Sequence, residues 1–166
     1  MNMGYTKATS LADFNRRQVF DIVSRALPGL KDPRDAAARI DLCVATFLQN
    51  REVDDGGGNV RHWVSRVVYA YAAALFNMHE EVSQGAAHCA MTPTVMRHLG
   101  PRDPGAMCAI ASALGVWTQG DPVTEAPFRA ADELEKVFAS IGMPTNLSQL
   151  NIPRSSAEKI LSASLK

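Results

Sequence analysis

The chain has no surplus of charge: 17 basic and 17 acidic side chains cancel over 166 residues. Phosphate backbones and anionic bilayers are held by Lys and Arg gathered on one surface, so this balance argues against a nucleic-acid or membrane partner. Cysteine is scarce. Cys43, Cys89 and Cys108 are odd in number, far apart and set in apolar runs, which reads as buried free thiols of a reducing compartment. No apolar run reaches the roughly 18 residues that a membrane span needs. The opening "MNMGYTKATS" has no apolar core of the signal-peptide kind, and the expectation is a cytoplasmic protein. No segment alternates apolar and polar residues with period two, so no strand is expected.

What the chain does have is helical periodicity. In "SLADFNRRQVFDIVSRALPGL" the set Val19, Ile22, Val23, Ala26 and Leu27 forms one stripe, Ser10 with Asp13 reads as a shortened capping box, and Pro28-Gly29 stops the helix. In "KDPRDAAARIDLCVATFLQNRE" Asp32 can cap, Pro33 suits the first helical position, and Ile40, Cys43, Val44, Phe47 and Leu48 repeat the stripe. The third helix, Asn59 to Phe76, follows a "VDDGGG" turn and is apolar nearly all round after Arg66, which places it mid-bundle. A polar break, "NMHEEVS", leads into "SQGAAHCAMTPTVMRHL", where Gly85 opens a helix and Pro93 breaks it. Helices from Pro104 to Leu114 and from about Thr124 to Ile141 are stopped by Gly115 and Gly142. The second of these carries Leu134, Val137, Phe138 and Ile141 on one face. A turn-helix-turn and a last helix with Ala157, Ile160, Leu161 and Leu165 close the chain. The expected fold is all-α, a bundle of about seven helices in a single domain over 1–166, with residues 1–9 a flexible N-terminus.

Two stretches carry a resemblance. "IGMPTNLSQLNIP", Ile141 to Pro153, resembles the "LGxPTxLxxLGxP" turn near the end of iron-containing alcohol dehydrogenases, above all their maleylacetate reductase branch. "SQGAAHCAMTPTVMRHL" resembles that branch's "PHAxTHAxxLPHVLxxN", with Gly85, His88, Ala90, Pro93 and Val95 in step, and "RALPGLKDPRDAAARIDLCVATFL" fits the helix pair before the metal helix. The resemblance spans nearly the whole chain and covers the helical C-terminal domain of the family, which has a dehydroquinate-synthase-like fold. It implies a helical half that supplies substrate pocket and metal ligands, lacking the α/β nucleotide-binding domain.

The same resemblance implies that the metal ligands are gone. Metal-using members carry one His on the central helix and another fourteen residues later, and that second position is Gln84, a poor cation ligand beside imidazole. Counting back fourteen gives Ala70; with an insertion at "NMHEEVS" the first His would match Arg66 or His62 instead. No metal is expected, and the loop Asp54 to Val60 lacks the strand context of a phosphate cradle, so no cofactor is expected either.

The residues left to form a site are His62, Arg66, Tyr69, Gln84 and His88, with His88, Arg66 and His79 the catalytic candidates. A buried guanidinium at Arg66 needs an anionic or carbonyl partner. "MHEE", Met78 to Glu81, sets His79 beside carboxylates, but on a solvated loop rather than at a helical zinc spacing. Tyr69 and Tyr71 cannot share one helical face; Met91, Met96 and Met107 read as core. Three functions fit. The first is a helical domain acting with a nucleotide-binding partner subunit or as a homo-oligomer. The second is a binding protein for a small acidic metabolite, an oxo-acid or aromatic acid. The third is a cofactor-independent isomerase, lyase or hydrolase using His88 and Arg66.

Overall fold

The computed structural model describes residues 9–51 and 62–165. These fall into two compact units divided at residues 61 and 62. Among the described residues there are seven α-helices and no strand, as the periodicity requires. No helix there is long and apolar enough to cross a membrane. The expected N-terminal tail, save Thr9, and the "DDGGGNV" loop lie outside the described residues.

The first unit is a hairpin of α1 (Ser10–Ala26) and α2 (Ala36–Arg51) joined by a 3₁₀ turn, Leu27–Lys31. Both caps differ from the sequence reading by one residue or one turn. Thr9, not Ser10, caps α1 by accepting from the Ala12 backbone N–H at 3.2 Å. Asp32 folds onto the N–H of Arg34 at 2.9 Å, while Asp35 accepts from the N–H of Ala38 at 2.9 Å and takes the cap of α2. Each is the side-chain oxygen that sits three residues before an orphan helical N–H. Gly29 is required by close approach: a Cβ there would lie 2.6 Å from the Ala38 Cβ.

The expected stripe of α2 is corrected. Ile40, Val44 and Phe47 are exposed, as is Cys43, and the buried positions of the helix are Ala38 and Ala45. Small side chains, not the large apolar ones, mark the close-packed face. All three cysteines are free, but none is fully buried: Cys89 and Cys108 are half-buried and Cys43 exposed.

The second unit holds α3 (Trp63–Met78), α4 (Gln84–Leu99), α5 (Pro104–Ala113), α6 (Ala126–Ser140) and α7 (Ala157–Ser164). α4 packs between α3 and α6, α7 lies on α3, and α5 lies on α6. The inward stripe of α3 is Val64, Val68, Ala72 and Leu75, at helical spacing. Around its C-terminal half a core forms from Ala72, Leu75, Val82, Ala87, Ile152 and Ile160, with Tyr71 and Met91 packed against it. Met96 and Met107 are fully buried. Gly115 and Gly142 follow α5 and α6 with φ of 74° and 76°, the left-handed stops their position predicts.

Two expectations for this unit change. Pro93 does not break α4, which continues to Leu99 with the ring buried inside it. A mid-helix proline removes one backbone donor; next to it, the Thr92 hydroxyl donates to the His88 carbonyl at 2.7 Å. α3 is not enveloped on all sides. Arg66 is exposed rather than buried, Tyr69 is 47% exposed, and Asn77 is exposed. These positions share one face at i, i+3 and i+11, so the exposed side that begins at Arg66 persists beyond it.

A clamp fixes α4 on α6. Arg97 donates to both Glu135 oxygens, at 2.6 and 2.8 Å, and to Asp132 at 2.6 Å. These hydrogen bonds, Glu135 foremost, hold the guanidinium pKa above its ordinary value. The end of α4 also meets α5 and α6 at Gly100, where a Cβ would lie 2.8 Å from the Met107 Sδ and 2.9 Å from the Pro127 Cβ. Gly100→Ala is therefore expected to destabilise by about 1–3 kcal/mol through overpacking. Gly105, in the first turn of α5, has open space around it, and Gly105→Ala is expected to stabilise by about 0.5 kcal/mol. Urea denaturation of the two variants checks the opposite signs.

Candidate functional site

The seam between α3 and α4 brings two of the candidate residues into contact. Tyr69 on α3 and His88 on α4 have ring centroids 5.8 Å apart, tilted by 54°. The imidazole is oriented by its own helix: Nδ1 lies 2.8 Å from the backbone carbonyl oxygen of Gln84. A carbonyl can only accept, so Nδ1 carries the proton and donates. Nε2 is then left with its lone pair, on a half-buried ring beside an exposed phenol. Gln84 contributes through its main chain, at the first position of α4, while its side chain is exposed. Arg66, also exposed, lies one turn before Tyr69 on the same face of α3.

His62 sits elsewhere. It caps α3, its Nδ1 accepting from the Val64 N–H at 3.3 Å, and it is 1% exposed. An accepting Nδ1 leaves the proton on Nε2, which donates to Asp103 Oδ2 at 2.9 Å. Asp103 in turn caps α5 by accepting from the Ala106 N–H at 3.2 Å. Both ring nitrogens are thus committed to tying two helix starts together. Seven residues of helix separate His62 from Tyr69, about 10 Å along the axis. The His62 hydrogen bond, then the Ala106 N–H, holds the Asp103 carboxyl below its ordinary value of 3.8. The pair's contribution is therefore full above that value and fades as acid takes the pH down through the lowered one.

His79 ends α3. Its backbone N–H bonds to Leu75 O at 3.0 Å, and its Nδ1 lies 3.6 Å from Glu81 Oε1. Its Nε2 is buried with no hydrogen-bond partner. The loop is solvated at Glu80 and Glu81, as expected, but the imidazole is sheltered rather than solvated.

Near the Tyr69–His88 pair the surface is open. A groove of about 430 Å³ runs between α3 and α7, lined by Tyr69, Ala70, Ala73, Ala74 and Met78 with Ala163 opposite. A second hollow of about 400 Å³ adjoins it at Met78 and Ala163. Tyr69 belongs to both the groove and the histidine pair. The two segments that carried the resemblance also meet: a Cβ on Gly85 would lie 3.6 Å from the Met143 Cε. Cys89, next to His88, is no thiolate, since burial pushes its pKa up to about 11.

The sequence reading did not find Asp103 as the partner of His62, nor the alanine face of α3 as a groove. The Asp-Pro pair at 103–104 signals a helix start, but nothing in it names a histidine 41 positions away. The alanines carry no chemical signal. They show only once α7 lies beside them.

The model of the C-terminal part of the Fe-containing alcohol dehydrogenase family matches residues 4–166. Long-chain-alcohol dehydrogenase 1 of Geobacillus thermodenitrificans is 26% identical over 140 residues, covering 84% of this chain and 33% of that protein. The chain thus spans about a third of the length of this curated relative. No solved structure matches.

The geometry requires opposite tautomers for two histidines. Long-range ¹H–¹⁵N NMR should show the proton on Nε2 of His62 and on Nδ1 of His88. The same tautomer at both positions would contradict the site as described.

Proposed function

The chain belongs to the iron-containing alcohol dehydrogenase family, as its helical C-terminal part, and from that premise we propose that it forms the substrate-side wall of a reductase-type centre completed by a nucleotide-binding partner. The observation that carries this reading is the uncovered face of α3. Tyr69 and Met78 are exposed side chains along the α3 wall of a shallow alanine-lined groove. Such a face, next to an oriented imidazole, fits a second body that closes over it. The described residues contain no strand, hence no strand–glycine turn–helix unit of the dinucleotide-binding kind. In this reading nucleotide binding falls to a separate α/β body.

The closer likeness of "SQGAAHCAMTPTVMRHL" and "IGMPTNLSQLNIP" to maleylacetate reductases supports an oxo-acid as substrate. In this reading the Arg66 guanidinium pairs with the carboxylate of the acid. The lone pair of His88 Nε2 takes the proton of the substrate hydroxyl in the oxidative direction, and the imidazolium so formed returns it to the substrate oxygen in the reductive one, while Nδ1–H stays on the Gln84 carbonyl and keeps the ring in place. Tyr69 is the floor between them. The test of the docking is light scattering on a mixture of this chain with the isolated α/β part of the Geobacillus long-chain-alcohol dehydrogenase. A larger species is expected, and it should be lost in Ala73→Arg, whose helical circular dichroism is unchanged. A chain that stays monomeric and engages neither the α/β part nor a second copy defeats the reading.

A specific observation also favours a second reading, a binding protein for small acids. Arg66 is an exposed cation one helical turn from Tyr69, which suits a carboxylate without any redox partner. Thermal melting in the presence of oxo-acids should then rise with ligand concentration in the chain alone. Arg66→Ala should abolish the rise. A melting point indifferent to every acid counts against this second reading.

A further inference from the structure

The family takes its name from iron, and the donor set of this chain can be tested against that ion residue by residue. All four histidines and all three cysteines lie within the described residues. A protein-held divalent ion with imidazole and carboxylate ligands takes three or more of them, with metal–nitrogen distances of about 2 Å, so its imidazole nitrogens lie within roughly 4 Å of one another.

None of the four imidazoles meets this demand. His62 uses Nδ1 to accept from Val64 and Nε2 to donate to Asp103, inside a cap that a metal would dismantle. His79 keeps Nε2 buried, and its nearest carboxylate, Glu81, stands 3.6 Å from Nδ1. His88 presents Nε2 to the seam, but its ring neighbour is the Tyr69 phenol, and the residue one turn before it is an amide. His98 is exposed on the same helix ten residues later, about 15 Å away along the axis. Among the described residues no three His, Cys, Asp or Glu side chains gather where an ion could sit. The carboxylates outside the described residues, Glu52, Asp54 and Asp55, bring no imidazole.

We infer that this chain is a member of the iron-containing family that cannot hold iron, because it offers at most one usable imidazole, His88, where the ion requires several donors converging on one point. The position that the resemblance assigns to the second metal histidine is held by the amide Gln84, and His88, one turn on, is an oriented base beside a phenol. Neither the docking of a nucleotide-binding partner nor the binding of an acid bears on this inference, since it concerns the chain's own donors.

The test uses the intact chain, alone. It is equilibrated with ferrous ion under argon, and separately with zinc ion, then desalted and assayed for bound metal by mass spectrometry, with thermal melting in parallel. Wild type and His88→Ala are both expected to retain far less than one equivalent of either ion, and to melt at the temperature of the untreated chain. One equivalent retained by folded wild type, with a melting temperature that climbs with metal concentration, overturns the inference whichever histidine variant abolishes it. Because metal content is read on the isolated chain, a failure to recruit a partner leaves this result intact.

Discussion

The packing of α3 on α4 is the constraint from which the rest of the second unit follows. The two helices meet in one core cluster through small side chains, Ala72 on one and Ala87 on the other. Small side chains let two helix axes approach closely and leave little freedom in their rotation. That rotation decides what faces outward. With Val64, Val68, Ala72 and Leu75 turned in, Arg66 and Tyr69 turn out, and Tyr69 meets His88 across the seam. A single helix-pair geometry thus produces both the core and the site.

Two other devices keep the pair in register. At one end, His62 and Asp103 cap α3 and α5 and bond to each other, so the starts of two helices share one polar cluster. In the last turn of α4, Arg97 joins it to α6 through Glu135 and Asp132. Both spend charged or polar groups on holding helices together. This explains why His62, attractive as a functional residue in the sequence, serves as a structural one. His88 differs in a single respect: its helix satisfies Nδ1 and leaves Nε2 open. Of the four histidines, it combines a fixed orientation with an available nitrogen at the seam.

How much of this was legible in the sequence depends on the range of the interaction. The helix stops at Gly115 and Gly142, the opposite faces of Tyr69 and Tyr71, and the methionine core follow from local spacing, and the structure agrees. The family likeness was carried by short segments, and the match over residues 4–166 bears it out. What failed was inference from hydrophobicity alone. Ile40, Val44 and Phe47 form a regular stripe, yet Ala38 and Ala45 are the buried residues of α2. Arg66 sits in an apolar run, yet it is exposed, because a helix face is set by its neighbours and not by the average of its window. Pro93 breaks a helix by propensity, but burial in a packed seam outweighs a local penalty of about 3 kcal/mol. Partnerships such as His62 with Asp103 are non-local and leave no trace in spacing.

The central claim is that the uncovered face of α3, with Tyr69 against His88, is the working face of this helical half. Hydroxyl-radical footprinting of the chain with and without the α/β part of a family member tests it most directly. The account predicts that Tyr69 and Met78 are labelled in the free chain and protected in the mixture, while exposed Phe128 on α6 is labelled equally in both. Protection that falls on Phe128 and spares Tyr69 would contradict it.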